Sequence, residues 1–161
     1  MNKQELYNHL NTTLKALTEG ERHPLPNLAN AAALFWELLP DINWAGFYVM
    51  DGKGLVLGPF QGKTACIRIA LDKGVCGAAA REDKIQRVAD VHAFPGHIAC
   101  DSASNSEIVL PLHDETGRVV GVMDIDSPIF NRFDEEDEAG LTRAAVLLSK
   151  ACDWSRLVSL S

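Results

Sequence analysis

Three features of the sequence predict an α+β fold with a mainly antiparallel central sheet. Leu6, Leu10, Leu14 and Leu17 recur at helical spacing, and an alanine-rich apolar run follows from Leu28 to Leu39. Between residues 42 and 125 the pattern changes to short apolar runs separated by glycine-bearing turns, the signature of hairpins. An acidic helix start at Asp134-Glu135-Glu136-Asp137 then restores helical spacing to the end of the chain. Helices that bracket a block of hairpins, instead of alternating with single strands, place helices beside an antiparallel sheet.

The elements follow in order. The leucines of the first segment are separated by polar residues, so the helix is amphipathic. Gly20 to Pro26 is a break, and Leu28 to Leu39 is apolar on most sides, a buried helix closed by Pro40. Ile42 to Met50 reads as a strand, Asp51-Gly52-Lys53-Gly54 as a hairpin turn, and Leu55-Val56-Leu57 as the return, stopped by Gly58-Pro59. Cys66 to Ile69 is a further strand, Gly74 to Ala80 a small-residue helix, and Gln86 to Val88 a short extended piece. Val91 to Ser106 is a long loop. A second hairpin joins Glu107–Leu112 to Arg118–Ile125 across Asp114-Glu115-Thr116-Gly117. The last helix carries Leu141, Ala144, Leu147, Leu148 and Ala151.

The 161 residues hold no internal repeat and no linker long enough to divide them, so residues 1–161 read as one domain. Hydrophobic residues make up 47% of the chain, enough for a full core. The formal net charge of −7 argues against nucleic-acid or membrane-surface partners, which need a basic face. No run is long enough to span a bilayer, and the polar start Met1-Asn2-Lys3-Gln4-Glu5 lacks the apolar centre of a signal peptide. A cytoplasmic location is expected. There, four cysteines are not a disulfide framework, and their spacing matches no paired-CxxC zinc pattern, so no metal site is expected.

Cys66, Cys76 and Cys100 lie in polar, glycine-bearing segments. Cys100 sits in Gly96-His97-Ile98-Ala99-Cys100-Asp101-Ser102-Ala103, a setting for thiolate chemistry more than for core packing. Cys66, on an alternating strand, reads equally as a packed side chain. Cys76, between Gly74 and Gly77, suits tight packing as well as redox work. Cys152, near Leu148 and Trp154, reads as core or dimer surface. Asp124 and Asp126 are two apart on a strand and share a face, with Glu107 at the start of the strand that pairs with theirs. Alternation alone allows these acids to face solvent while Met123 and Ile125 face the core. An inward pair would be costly without a function or a partner. Trp44 and Tyr48 share a strand face, with Phe47 on the other. His92 and His97 flank the cysteine loop and read as loop hydrogen-bonding residues.

The whole pattern resembles a GAF domain. Asn43-Trp44-Ala45-Gly46-Phe47-Tyr48, Leu57-Gly58-Pro59-Phe60-Gln61-Gly62, Gly74-Val75-Cys76-Gly77 and Gly96-His97-Ile98-Ala99-Cys100-Asp101 are similar to the free methionine-R-sulfoxide reductases. Ser104-Asn105-Ser106-Glu107-Ile108-Val109-Leu110-Pro111 and Asp124-Ile125-Asp126-Ser127 extend the resemblance over almost the whole chain. It implies thiol-dependent reduction of free L-methionine-R-sulfoxide to L-methionine. Cys100 is then the nucleophile, which passes through a sulfenic acid. Cys66 is the resolving thiol of an intramolecular disulfide, and Cys76 a reserve or exchange partner. Glu107, Asp124 and Asp126 serve the sulfoxide oxygen and the substrate ammonium, and Trp44 and Tyr48 wall the pocket. The resemblance further implies no bound cofactor, NADPH-linked thioredoxin as external reductant and a homodimer. The competing expectation is a non-catalytic GAF module that senses a small effector or oxidants.

Overall fold

The computed structural model describes residues 1–97 and 102–158. Helices α1 (Lys3–Thr18) and α2 (Pro24–Leu38) lead into a hairpin of β1 (Trp44–Asp51) and β2 (Gly54–Gly62). Short strand β3 (Arg68–Ala70), helix α3 (Gly74–Glu82) and strand β4 (Gln86–Val88) follow. A second hairpin, β5 (Ser106–His113) and β6 (Val119–Ser127), precedes α4 (Glu135–Ala151) and the short α5 (Ser155–Val158). The six strands lie in the order β3-β2-β1-β6-β5-β4, and every neighbouring pair is antiparallel. The expected α+β class is therefore the observed one.

Local chemistry accounts for the boundaries. Asn2 caps α1 by accepting from the Glu5 N–H, and Pro24 supplies the first-turn position of α2 where its missing N–H costs nothing. That proline starts α2 four residues earlier than the apolar run suggests. Strand β2 continues through Gly58-Pro59, where the sequence reading stopped it. The β1–β2 register shifts between Gly46 and Tyr48, and the resulting irregularity absorbs Pro59 without breaking the ladder. Strand β3 begins at Arg68, so Cys66 precedes the strand that was expected to contain it. Asp134 caps α4 through a reciprocal box with Asp137.

The sheet separates two apolar clusters. On one face α1, α2 and α4 cover Ala45, Phe47, Ile108, Leu110, Leu112, Met123 and Ile125. On the other, α3 covers a smaller cluster that includes Trp44, Tyr48, Val75, Cys76, Val109 and Val122. The leucine stripe of α1 is rotated from its expected place. Leu10 and Leu14 are buried with Tyr7, whereas Leu17 is exposed and Leu6 packs at the margin. Cys152 belongs to the larger core and accepts a hydrogen bond from Asn27 Nδ2 at 3.8 Å.

A buried polar knot ties α1 to α4. Asp137 is fully buried and accepts from Tyr7 Oη at 2.7 Å, Arg132 Nη1 at 3.2 Å and Lys3 Nζ at 2.6 Å. Removing the acid would strand a guanidinium and a phenol away from water. Asp137→Ala should therefore destabilise the protein by about 3–5 kcal/mol. Denaturant unfolding monitored by circular dichroism measures this, and a loss under about 1 kcal/mol would show that the knot behaves like a surface pair.

Candidate active site

The site lies on the smaller-cluster face, where β1, β6 and β5 adjoin under α3. Strand pleating sets the side-chain directions. Met123 and Ile125 point into the helical core and are fully buried. Asp124 and Asp126 therefore point the other way, and burial beneath α3 and the loops leaves them only 5% and 9% exposed. Glu107 lies directly across from Asp126 and is 8% exposed, so three carboxyls meet on one patch of sheet. The solvent-facing alternative for these acids does not occur.

Helix α3 delivers Cys76 to the same patch. Its close approach depends on Gly77, where an added Cβ would stand 2.7 Å from the Ala70 carbonyl oxygen. The Gly74 N–H donates to the Gly96 carbonyl at 2.9 Å, fixing the helix start beside the cysteine loop. Cys76 Sγ lies 3.4 Å from Asp124 Oδ2 and 4.0 Å from Glu107 Oε2. Asp124 Oδ1 is buried with no hydrogen-bond partner among the described residues.

Burial is the main force on these groups. It pushes the Cys76 thiol well above its ordinary range, and the charges of Asp124, Glu107 and Asp126 push further the same way. The Glu107 carboxyl is raised by burial and then by the charge of Asp124. Burial likewise raises Asp124, with Asp126 adding to it, although hydrogen bonds from Glu107 and Cys76 work against the shift. Three acids in one desolvated patch cannot all be ionised without a cation, so the site retains protons and attracts positive charge.

Trp44 and Tyr48 form the aromatic wall, with ring centroids 6.0 Å apart. Trp44 Nε1 donates to the Lys63 carbonyl at 3.1 Å, and Tyr48 Oη donates to the Cys66 carbonyl at 2.8 Å. These bonds hold both rings while anchoring the segment that carries the half-buried Cys66. Phe47 lies in the opposite core, 6.4 Å from Phe35. Sequence reading did not assign Phe60 a role. It stacks on Trp44 at 5.2 Å, and Gly46 makes this possible because any Cβ there would stand 2.3 Å from that of Phe60. Thr64, Ala65, Ser104 and His97 complete the rim. Ser104 Oγ accepts from Asn43 Nδ2 at 3.1 Å, and burial lowers the His97 pKa, with His92 adding to the effect. His92 bonds Asn105 at 2.9 Å, the loop-holding role expected of it. Cys100 lies outside the described residues.

Comparison with known proteins places the chain in a family. The GAF domain family matches residues 28–153. Free methionine-R-sulfoxide reductase of Escherichia coli K12 is 55% identical over 93% of this chain and 90% of its own length. The chain belongs to the GAF-domain free methionine-R-sulfoxide reductase family. The Saccharomyces cerevisiae free methionine-R-sulfoxide reductase is 44% identical, covering 94% of this chain and 88% of its own. The structure of the Neisseria meningitidis free methionine-R-sulfoxide reductase in complex with its substrate superposes with a TM-score of 0.91 at 41% identity, covering 98% of this chain and 95% of that one. Among the described residues, no helix is long and apolar enough to cross a membrane.

Proposed function

We propose that this protein reduces free L-methionine-R-sulfoxide to L-methionine through a cysteine sulfenic acid and an intramolecular disulfide that thioredoxin reopens. One observation carries the reading beyond family membership: a buried set of three acids stands beside an aromatic wall, with an unpartnered oxygen on Asp124. A substrate ammonium supplies the missing positive charge. Trp44 and Tyr48 receive the S-methyl group and methylene arm.

The chemistry then follows from the charge state of the cluster. The Cys100 thiolate attacks the sulfoxide sulfur. A carboxyl that burial favours in its protonated form gives its proton to the sulfoxide oxygen, which weakens that oxygen's bond to the methionine sulfur. Attack forms a bond between the Cys100 sulfur and the methionine sulfur; the protonated oxygen then passes from the methionine sulfur to the Cys100 sulfur as that new bond breaks, so methionine leaves and Cys100 carries a sulfenic acid. The Cys66 thiol condenses with that sulfenic acid, forming the disulfide and releasing water. Thioredoxin takes the two oxidising equivalents by thiol–disulfide exchange. Glu107, Asp124 and Asp126 share the proton-donating and ammonium-binding work, and Cys76 lies against them as a neutral thiol.

The test is thioredoxin-coupled oxidation of NADPH with three substrates: free L-methionine-R-sulfoxide, its S epimer and an N-blocked R-sulfoxide. Consumption is expected with the free R epimer alone: the family's R preference excludes the S epimer, and the acid cluster, which reads an unblocked ammonium, excludes the N-blocked compound. Equal rates with the N-blocked compound would remove the carboxyls from substrate recognition. No consumption with any of the three, given active thioredoxin, would overturn the reaction itself.

A further inference from the structure

The acid cluster has a second property that reduction of a sulfoxide does not use. Cys76 Sγ from α3, a carboxylate oxygen of Glu107 from β5 and one of Asp124 from β6 all lie within 4.8 Å of one another, and all three residues are buried. The Sγ–Oδ2 separation of 3.4 Å and the Sγ–Oε2 separation of 4.0 Å are close to the spacing of ligands around one tetrahedral ion. With Zn–S of about 2.3 Å and Zn–O of about 2.0–2.2 Å, sulfur and oxygen ligands stand roughly 3.5 Å apart. The second oxygen of the same carboxyl, Asp124 Oδ1, is buried with no hydrogen-bond partner among the described residues, so the group has unused acceptor capacity that a bound cation would take up. The three ligands come from distant points of the sequence, which is why no linear motif discloses them.

We propose that the reduced protein binds one thiophilic divalent cation, zinc(II), through Cys76, Glu107 and Asp124, and that the ion and the substrate ammonium exclude each other. A water molecule takes the open fourth position. Any ligand that carries a proton beforehand releases it to solvent on binding, and no electron is transferred. One soft thiolate with two carboxylates suits zinc or cadmium. Magnesium is excluded, because it demands near-octahedral oxygen ligation and dehydrates reluctantly. The ion is an inhibitor, not a cofactor: it occupies the positive-charge site and ties up the acids needed at the sulfoxide oxygen. Binding of the ion stands on the geometry alone. The exclusion clause rests on the function proposed above.

Zinc affinity is measured anaerobically by competition with a chromophoric chelator, in a Cys66→Ser/Cys100→Ser background that removes the two other redox thiols. One equivalent per chain is expected, and cadmium in its place should give a thiolate charge-transfer band. Adding Cys76→Ala should abolish that band. Either Cys76→Ala or Asp124→Asn should weaken zinc by at least the roughly 10–100-fold typical of losing even an outer-shell partner. Stoichiometric uptake that survives Cys76→Ala unchanged, or no uptake by a background variant with native circular dichroism, would overturn the site. The second arm uses the unsubstituted reduced protein, in which zinc should raise the apparent KM for the sulfoxide without changing kcat. Tight zinc binding with no effect on KM would overturn the exclusion clause while leaving the metal site intact. Zinc binding in a protein with no sulfoxide turnover would overturn the proposed function alone.

Discussion

Cys100→Ser should abolish sulfoxide reduction, whereas Cys66→Ser should still yield about one methionine per chain before it stalls. A serine hydroxyl is not ionised near neutral pH and forms no sulfenic acid. Losing an activated nucleophile costs on the order of 10⁴-fold or more in rate. Cys66→Ser leaves the first step intact and removes only the thiol that resets it. The two variants separate cleanly in a rapid-quench experiment without reductant. The unsubstituted enzyme should release one methionine per chain and lose two titratable thiols. Cys66→Ser should release one methionine, lose one thiol and become labelled by a sulfenic-acid trap such as dimedone. Steady turnover by Cys100→Ser would place the nucleophile elsewhere. Cys76 is a poor substitute, since burial against three acids raises its thiol and keeps it protonated. Cys66 is half-buried in the segment that Tyr48 anchors, and its partial exposure suits a thiol that must exchange with an external reductant.

Much of this fold is legible in the sequence. Period changes located the helices and both hairpins, because alternation and helical spacing are direct consequences of backbone geometry. The second hairpin is legible from the turn at Asp114 to Gly117, but that turn alone would set Glu107 opposite Ile125; the register shift between Leu112 and His113 brings it opposite Asp126 instead. Other features were hidden for physical reasons. Which face of β6 holds the acids cannot be read from alternation when both faces are buried, since α3 covers the second face as the other helices cover the first. Proline in β2 reads as a stop unless a register shift absorbs it. Phe60 gains its place on Trp44 only through the missing Cβ of Gly46, a contact between neighbouring strands. The convergence of Cys76 with Glu107 and Asp124 depends on how closely α3 lies on the sheet, which Gly77 permits but no spacing rule encodes. The nucleophile and the substrate class came from the family resemblance, not from periodicity.

Asp124→Asn should make the protein more stable and nearly inactive at once. The argument begins with the direction of the shifts. Burial holds the Asp124 and Glu107 carboxyls above their ordinary range in the folded chain. The fold therefore favours their protonated forms. Their contribution to stability is fully present below about pH 4, the ordinary carboxylate range, and is lost as pH rises through the raised folded values. An amide at position 124 cannot ionise, keeps the shape of the side chain and can still accept from the Cys76 thiol through its oxygen. The variant should thus match the unsubstituted protein in acid and exceed it increasingly as pH rises. A gain of about 1–2 kcal/mol is the usual size for relieving such a site, which corresponds to several degrees in Tm for a chain of this size. Activity should fall by about 10²–10⁴-fold, the range for losing a positioned acid. The unsubstituted enzyme should itself lose kcat as pH rises through the same values, since the proton required by the sulfoxide oxygen is then gone. Thermal melts of both proteins across a pH series, with turnover measured in the same buffers, decide the matter. A variant less stable than its parent at alkaline pH would show that Asp124 is held by a compensating cation and not merely desolvated. A fully active variant would remove it from the reaction. Both outcomes of the expected experiment come from one cause: the site pays in stability for acids that stay protonated where water would have ionised them.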